Sequence, residues 1–193
     1  MVLTRLTTLF SFLPPCKGVS ATNEVQAYYH KPPPEVNYSS NPTVFGRILE
    51  GSTPCAPIKE SPTYFAFHDH RPAASLHGLV IPKHYVISLD SLSKKEEDLV
   101  ILLELQEMGL EVVRKLSPEA YEKKDFKLCF HVPPFISVGH LHLHVLAPAS
   151  EMNFAFKLKF WAGSRWCTDI EDVLAQWTKE EILMARQSIT LLN

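Results

Sequence analysis

The sequence predicts an α+β fold built on an antiparallel sheet. Three observations carry this. Short alternating segments stand in neighbouring, hairpin-like pairs. A single strong amphipathic helix separates one pair from the next. A seven-residue stretch, "HLHLHVL", alternates imidazoles with branched apolar side chains at the period of a strand.

The 193 residues suit one domain with tails, and a hydrophobic content of 46% suits a real core. The net charge of −2 provides no basic field to draw the chain to nucleic acid or anionic lipid. No apolar run is long enough to span a bilayer. Cys16, Cys55, Cys129 and Cys167 are far apart in sequence with no C-x-x-C pair, a pattern of reduced thiols rather than a disulfide framework. That places the chain in the cytoplasm or nucleus. Residues 1–42 read as a disordered or targeting extension, because "HKPPPEVNYSSNP" is too rich in proline and polar residues to pack. The acid-free start with Arg5 and Lys17 loosely suits an organelle transit peptide, and so a mitochondrial address is the alternative.

Order begins near Thr43 and a domain is expected over 43–150. "TYFAFHD" (63–69) and "SLHGLVIP" (75–82) are strands, joined by a turn at "RPAA". Ser93 and Glu96 form a capping box, opening a helix whose Leu99, Leu102, Leu103, Gln106, Leu110 and Val113 share a stripe; Ser117-Pro118 ends it. "DFKLCFHV" (125–132) and "HLHLHVLA" (140–147) are the next strands, around the loop "PPFISVG". Residues 151–193 form a C-terminal extension packed on the domain. Within it "FAFKLKFWAGSRW" alternates weakly as a strand, and Thr168 with Glu171 caps a helix bearing Ile170, Val173, Leu174 and Trp177. The basic and aromatic residues of that segment fit a packed strand with surface lysines, with single-strand nucleic-acid binding as the alternative.

On a strand, His140, His142 and His144 share one face, and Leu141, Leu143 and Val145 share the other. The apolar face packs on the helix. Three adjacent imidazoles are poor core residues, since each would need its own polar partners. Two chemistries suit them: a metal site built on His-x-His, or attack by a neutral imidazole whose neighbours fix its tautomer. No Asp or Glu lies within six residues of the run, which tilts mildly toward catalysis.

"HLHLHVL" resembles the H-φ-H-φ-H-φ-φ signature of the histidine triad nucleotide-binding and hydrolase superfamily, and "FHDHRPAASLHGLVIPKHYV" (67–86) resembles that family's upstream motif. "FHVPPFISVGHLHLHVLAPA" is most similar to the third branch of its nucleotide-binding proteins, neighbours of aprataxin. The resemblance implies a sheet of about five strands and cleavage at the α-phosphorus of AMP conjugates, with no cofactor and no metal. His142 would be the nucleophile and carry AMP covalently; His144 would contact phosphate oxygens and His140 would organise the array. His77 would line the phosphate pocket, Asp69 would accept from the ribose hydroxyls, His70 would sit at the base, and Ser137 near the leaving group. The partner implied is a small-molecule AMP conjugate, and a homodimer is compatible with it. Where many relatives carry half a zinc site as C-x-x-C, this chain has "TVFG" (43–46); a ribose-contacting asparagine has no clear match, with His131 the nearest substitute. Alternatives are removal of AMP from DNA ends, dinucleoside polyphosphate hydrolysis, or a non-catalytic AMP-binding scaffold.

Overall fold

The computed structural model describes residues 28–32 and 37–192. The first elements are α1 (Val44–Leu49), β1 (Pro57–Glu60), β2 (Tyr64–His68) and β3 (Leu76–Pro82). After a 3-10 turn at Leu89–Ser91 come α2 (Glu96–Leu116), α3 (Pro118–Glu122), β4 (Lys127–His131) and β5 (Leu143–Ala147). The chain ends with α4 (Phe154–Lys159), β6 (Cys167–Asp169), α5 (Ile170–Leu174) and α6 (Lys179–Leu192). Among the described residues no helix is long and apolar enough to cross a membrane.

All strands are antiparallel, in the order β1-β2-β3-β5-β4-β6. The sheet has six strands where the resemblance implied about five; the sixth is β6, which pairs with β4 through Cys129↔Asp169 and His131↔Cys167. Strand β5 sits between β3 and β4, with Leu79↔His144 on one side and Cys129↔His144 on the other. His144 is therefore central in the sheet.

Helix α2 covers one face. Leu99, Leu102 and Leu103 pack against Leu128, Phe130, Leu143 and Val145. Gly109 makes the approach close: a Cβ there would lie 3.1 Å from Leu143 Cδ2 and 3.2 Å from Leu128 Cδ2. The polar member of the stripe, Gln106, is satisfied by Arg186 of α6, which donates to its Oε1 at 2.9 Å. The opposite face carries two smaller clusters: Phe45, Phe65, Phe67, Leu79 and Ile81 in one, and Ala73, Leu146, Met152 and Phe160 in the other. The histidines lie on that second face.

Four expectations need correction. The capping box at Ser93 and Glu96 does not form. Lys94 takes a left-handed φ of 59°, which prevents the helix from starting before it, and Asp98 Oδ2 accepts instead from the N–H groups of Ser93 and Lys95 at 2.7 and 3.1 Å. Residues 154–159 are helical, not extended, because Asn153 caps them by accepting from the Phe156 N–H at 3.0 Å. Thr168 lies in β6 and caps nothing; the capping box of this region is Thr178 with Glu181, opening α6. Ordered structure also reaches upstream of Thr43. Tyr28 bridges Cys55, His30 Nδ1 donates to the Leu49 carbonyl, and Tyr38 and Asn41 are buried. The targeting signals read in residues 1–27 lie outside the described residues, as do residues 33–36.

Candidate active site

Strand β5 begins only at Leu143, so His140 and His142 stand on an extended lead-in rather than inside the ladder. The alternation persists nonetheless. Leu141, Leu143 and Val145 enter the α2 core, while His140, His142 and His144 are all buried on the other side. Fully burying an apolar side chain contributes roughly 1.5–3 kcal/mol, whereas an unsatisfied buried polar group costs about 1–3 kcal/mol. Three orphaned imidazoles would cancel what the apolar face adds. The structure instead gives each ring at least one partner, and those partners set its tautomer.

His142 Nδ1–H donates to the backbone carbonyl of His140 at 2.6 Å, since a carbonyl can only accept. Its Nε2 is thus a bare lone pair, with no hydrogen-bond partner among the described residues. His140 Nε2–H donates to the Pro82 carbonyl at 2.9 Å, and its Nδ1 accepts from Asn41 Nδ2–H at 2.7 Å. His77 Nδ1 accepts from the Ala73 N–H at 3.1 Å, so its proton is on Nε2, which donates to His144 Nδ1 at 2.9 Å. That forces the His144 proton onto Nε2, an enclosed N–H with no partner among the described residues. The cluster therefore offers a lone pair at His142 and a donor at His144, with ring centroids 4.9 Å apart.

Burial dominates the electrostatics. It pushes His77 and His140 down to about 4, lowers His142, and holds His144 well below the usual imidazole range. The imidazoles are neutral at pH 7. Asp69 follows β2; its Oδ1 accepts from the Arg71 N–H at 2.7 Å and its Oδ2 lies 3.5 Å from His77 Nε2. Asp69, His77 and His144 could hold a metal ion, their ligand atoms lying within 4.8 Å of one another. A metal on His77 would have to displace one of the hydrogen bonds that occupy both ring nitrogens.

Of the residues singled out in the sequence, the structure brings together His77, His140, His142, His144 and Asp69. His70 adjoins Asp69 at 3.4 Å with its side chain 71% exposed. Ser137 is exposed in the loop before Gly139 and makes no hydrogen bond to the cluster. Three residues were undervalued or missed. His131 Nδ1–H donates to the Trp166 carbonyl at 3.0 Å, leaving an enclosed Nε2 with no partner among the described residues, and its ring centroid is 4.8 Å from that of His144. Its parity with Cys129 on β4 places it on the His144 face and was readable from the strand period. Phe160 is buried with its ring against His77, His131 and His144 at 5.0–5.6 Å. Asn41 had no signal beyond its proximity to Thr43.

A lone-pair imidazole and an imidazole donor on one extended H-x-H-x-H segment, backed by a further histidine from the next strand, define a class. The chain belongs to the histidine triad superfamily. Within it, residues 42–159 match the family described as "Scavenger mRNA decapping enzyme C-term binding". The chain is 34% identical over 148 residues to the mouse protein named adenosine 5'-monophosphoramidase HINT3, a match covering 74% of this chain and 85% of that one. It is 37% identical over 110 residues to the Xenopus tropicalis protein of the same name, covering 57% of this chain and 69% of that one. A solved structure described as "Hit Like Protein" shares 31% identity, covers 54% of this chain and 96% of its own, and superposes with a TM-score of 0.46.

Proposed function

We propose that the chain hydrolyses adenosine 5'-monophosphoramidates, releasing AMP through a covalent AMP-histidine intermediate. The observation that carries this reading is the 2.6 Å bond from His142 Nδ1–H to the His140 carbonyl, which leaves Nε2 bare beside the His144 donor. The Nε2 lone pair attacks the α-phosphorus and forms a P–N bond. The bond to the departing nitrogen breaks, and that nitrogen leaves as the free amine after taking up one proton. The His142 ring then carries positive charge shared with Nδ1–H, and the His140 carbonyl stabilises it through a strengthened hydrogen bond. His144 Nε2–H donates to a non-bridging phosphate oxygen, a role open to it because its Nδ1 is already occupied by His77. Water subsequently attacks phosphorus, the bond to His142 breaks and restores the Nε2 lone pair, and AMP is released; the proton that the water gives up to solvent balances the one the amine took from it. Two displacements each face a lower barrier than one hydrolysis.

In this reading Asp69 accepts from the ribose hydroxyls and His70 lies toward the base. The similarity to relatives named monophosphoramidases supports the choice of a P–N substrate. The test is steady-state release of AMP from adenosine 5'-phosphoramidate, with and without excess EDTA. Turnover unchanged by the chelator is expected. No AMP release from the folded chain would contradict the reading.

A further inference from the structure

Asn41 lies before α1, outside every strand, yet it is only 5% exposed and reaches the centre of the histidine cluster. Its Oδ1 accepts from Thr43 N–H at 3.1 Å and Thr43 Oγ1–H at 2.7 Å. This fixes the amide orientation and turns Nδ2–H toward His140 Nδ1, 2.7 Å away. Thr43 at the same time caps α1. The helix can approach Asn41 only because residue 46 is glycine: a Cβ there would lie 2.1 Å from the Asn41 carbonyl oxygen and 2.8 Å from its Cγ.

The other end of the His140 ring is held by the Pro82 carbonyl, and its faces and edges meet Phe45 and Tyr85. His140 is fully enclosed. Since residues 140–142 precede β5, the ladder does not hold them; instead Leu141 N–H, which shares a planar peptide unit with the His140 carbonyl, donates to the Val86 carbonyl at 2.7 Å. The His140 carbonyl, which aims His142, is thus held from two sides: by that bond on its own peptide plane and by the anchored His140 ring.

We propose that Asn41 is a positioning residue: its amide N–H locks His140 in the Nε2–H form, and that lock, with the Leu141–Val86 bond, holds the carbonyl that keeps Nε2 of His142 bare and aimed. The proposal deepens the functional reading and rests on His142 as the nucleophile.

Asn41→Asp separates this from a structural role. The carboxylate keeps its size and its bonds to Thr43 but presents an acceptor to His140 Nδ1. Two acceptors can meet only if His140 takes a proton. The groups facing His140 are Asn41 before α1, Phe45 on α1, the Pro82 carbonyl with His84 and Tyr85 after β3, and His142 on its own segment. None of these carries a negative charge, so the new carboxylate would raise the His140 titration from its native value of about 4.

The experiment records long-range ¹⁵N spectra of the histidine rings in the full chain, for native, Asn41→Asp and Asn41→Leu, beside kcat and KM for adenosine 5'-phosphoramidate. The native chain should show His140 as the Nε2–H form and His142 as the Nδ1–H form. Asn41→Asp should show an imidazolium at His140, still bonded at both ring nitrogens, with the His142 Nδ1–H form retained; Asn41→Leu, which frees His140 Nδ1, should lose the single His142 tautomer. The kcat of Asn41→Leu should fall about 10- to 100-fold, the scale on which orienting groups act, with KM little changed. An Asn41→Leu chain that melts earlier but keeps both native tautomers and kcat would overturn the proposal. If Asn41→Leu does not fold, Asn41→Asp decides: a neutral His140 with the native spectrum in that variant would overturn the lock. A native chain with the expected spectra and no turnover would sink the functional reading instead, and the variant spectra would still decide whether Asn41 controls His142.

Discussion

His77 and His144, 67 residues apart in sequence, share one hydrogen bond of 2.9 Å, and its direction is set by the backbone N–H of Ala73 on the far side of His77. A relay of three groups thus decides which nitrogen of His144 carries a proton. On the other side the backbone carbonyl of His140 takes the Nδ1–H of His142, so the two halves of the site end in opposite chemistry: a donor at His144 and a lone pair at His142. Both ends depend on burial, which keeps the rings neutral at physiological pH.

The first prediction follows from that burial. His77 and His140 titrate at about 4 in the fold against 6.5 ordinarily. Between these values the unfolded chain binds protons that the native chain does not, so stability rises with pH across the window and falls on acidification through it. Each ring adds up to about 1.4 kcal/mol per pH unit within the window. Thermal melts from pH 7 to 4.5 should show a falling Tm, and His140→Gln should flatten the slope by about one proton. A Tm independent of pH across that range would contradict neutral, buried rings.

Asp69 gives the second. Its Oδ1 is committed to the Arg71 N–H, leaving Oδ2 as the free acceptor. Asp69→Asn keeps the turn and removes the charged acceptor, which costs about 1.5–3 kcal/mol for a charged hydrogen bond. The ratio of kcat/KM for ribo- over 2'-deoxyribo-substrates should fall roughly ten- to hundredfold on the same scale. Equal losses on both substrates would remove Asp69 from the ribose.

The third concerns Phe160, which backs three imidazoles from a segment beyond the histidine strand. Phe160→Ala should destabilise the chain by about 3–5 kcal/mol in urea unfolding. It should also let His131 and His144 reorient, lowering kcat more than KM. A variant of native stability and kcat would show that the segment is an appendage to the site rather than a wall of it.

These residues also show what the sequence could and could not reveal. The face shared by His140, His142 and His144 was legible because strand period alone decides it, and the same parity would have placed His131 there. The helix stripe was legible for the same reason, but its start was not: Asp98 outcompeted Ser93 for the free N–H groups once Lys94 turned left-handed. Residues 154–159 alternate weakly enough to read as a strand, and only the Asn153 cap and the packing of Phe160 make them a helix. Asn41 was hidden by composition. A proline-rich polar segment is a poor candidate for packing until a tertiary acceptor, here His140, stands 99 residues away to receive it. Tautomers were not legible at all, because they depend on carbonyls such as Pro82 and Trp166 that any residue could supply.

The central claim is that Nε2 of His142 is the atom that bonds to phosphorus. Intact-mass analysis after brief incubation with adenosine 5'-phosphoramidate, followed by peptide mapping, tests it most directly. The native chain should carry an AMP adduct on His142. His142→Ala should show no adduct and a kcat lower by several orders of magnitude, roughly the scale of losing a nucleophile, with AMP binding retained. His140→Ala and His144→Ala should alter the adduct's rate of formation or decay without preventing it. An adduct that persists in His142→Ala and disappears in His144→Ala would contradict the account.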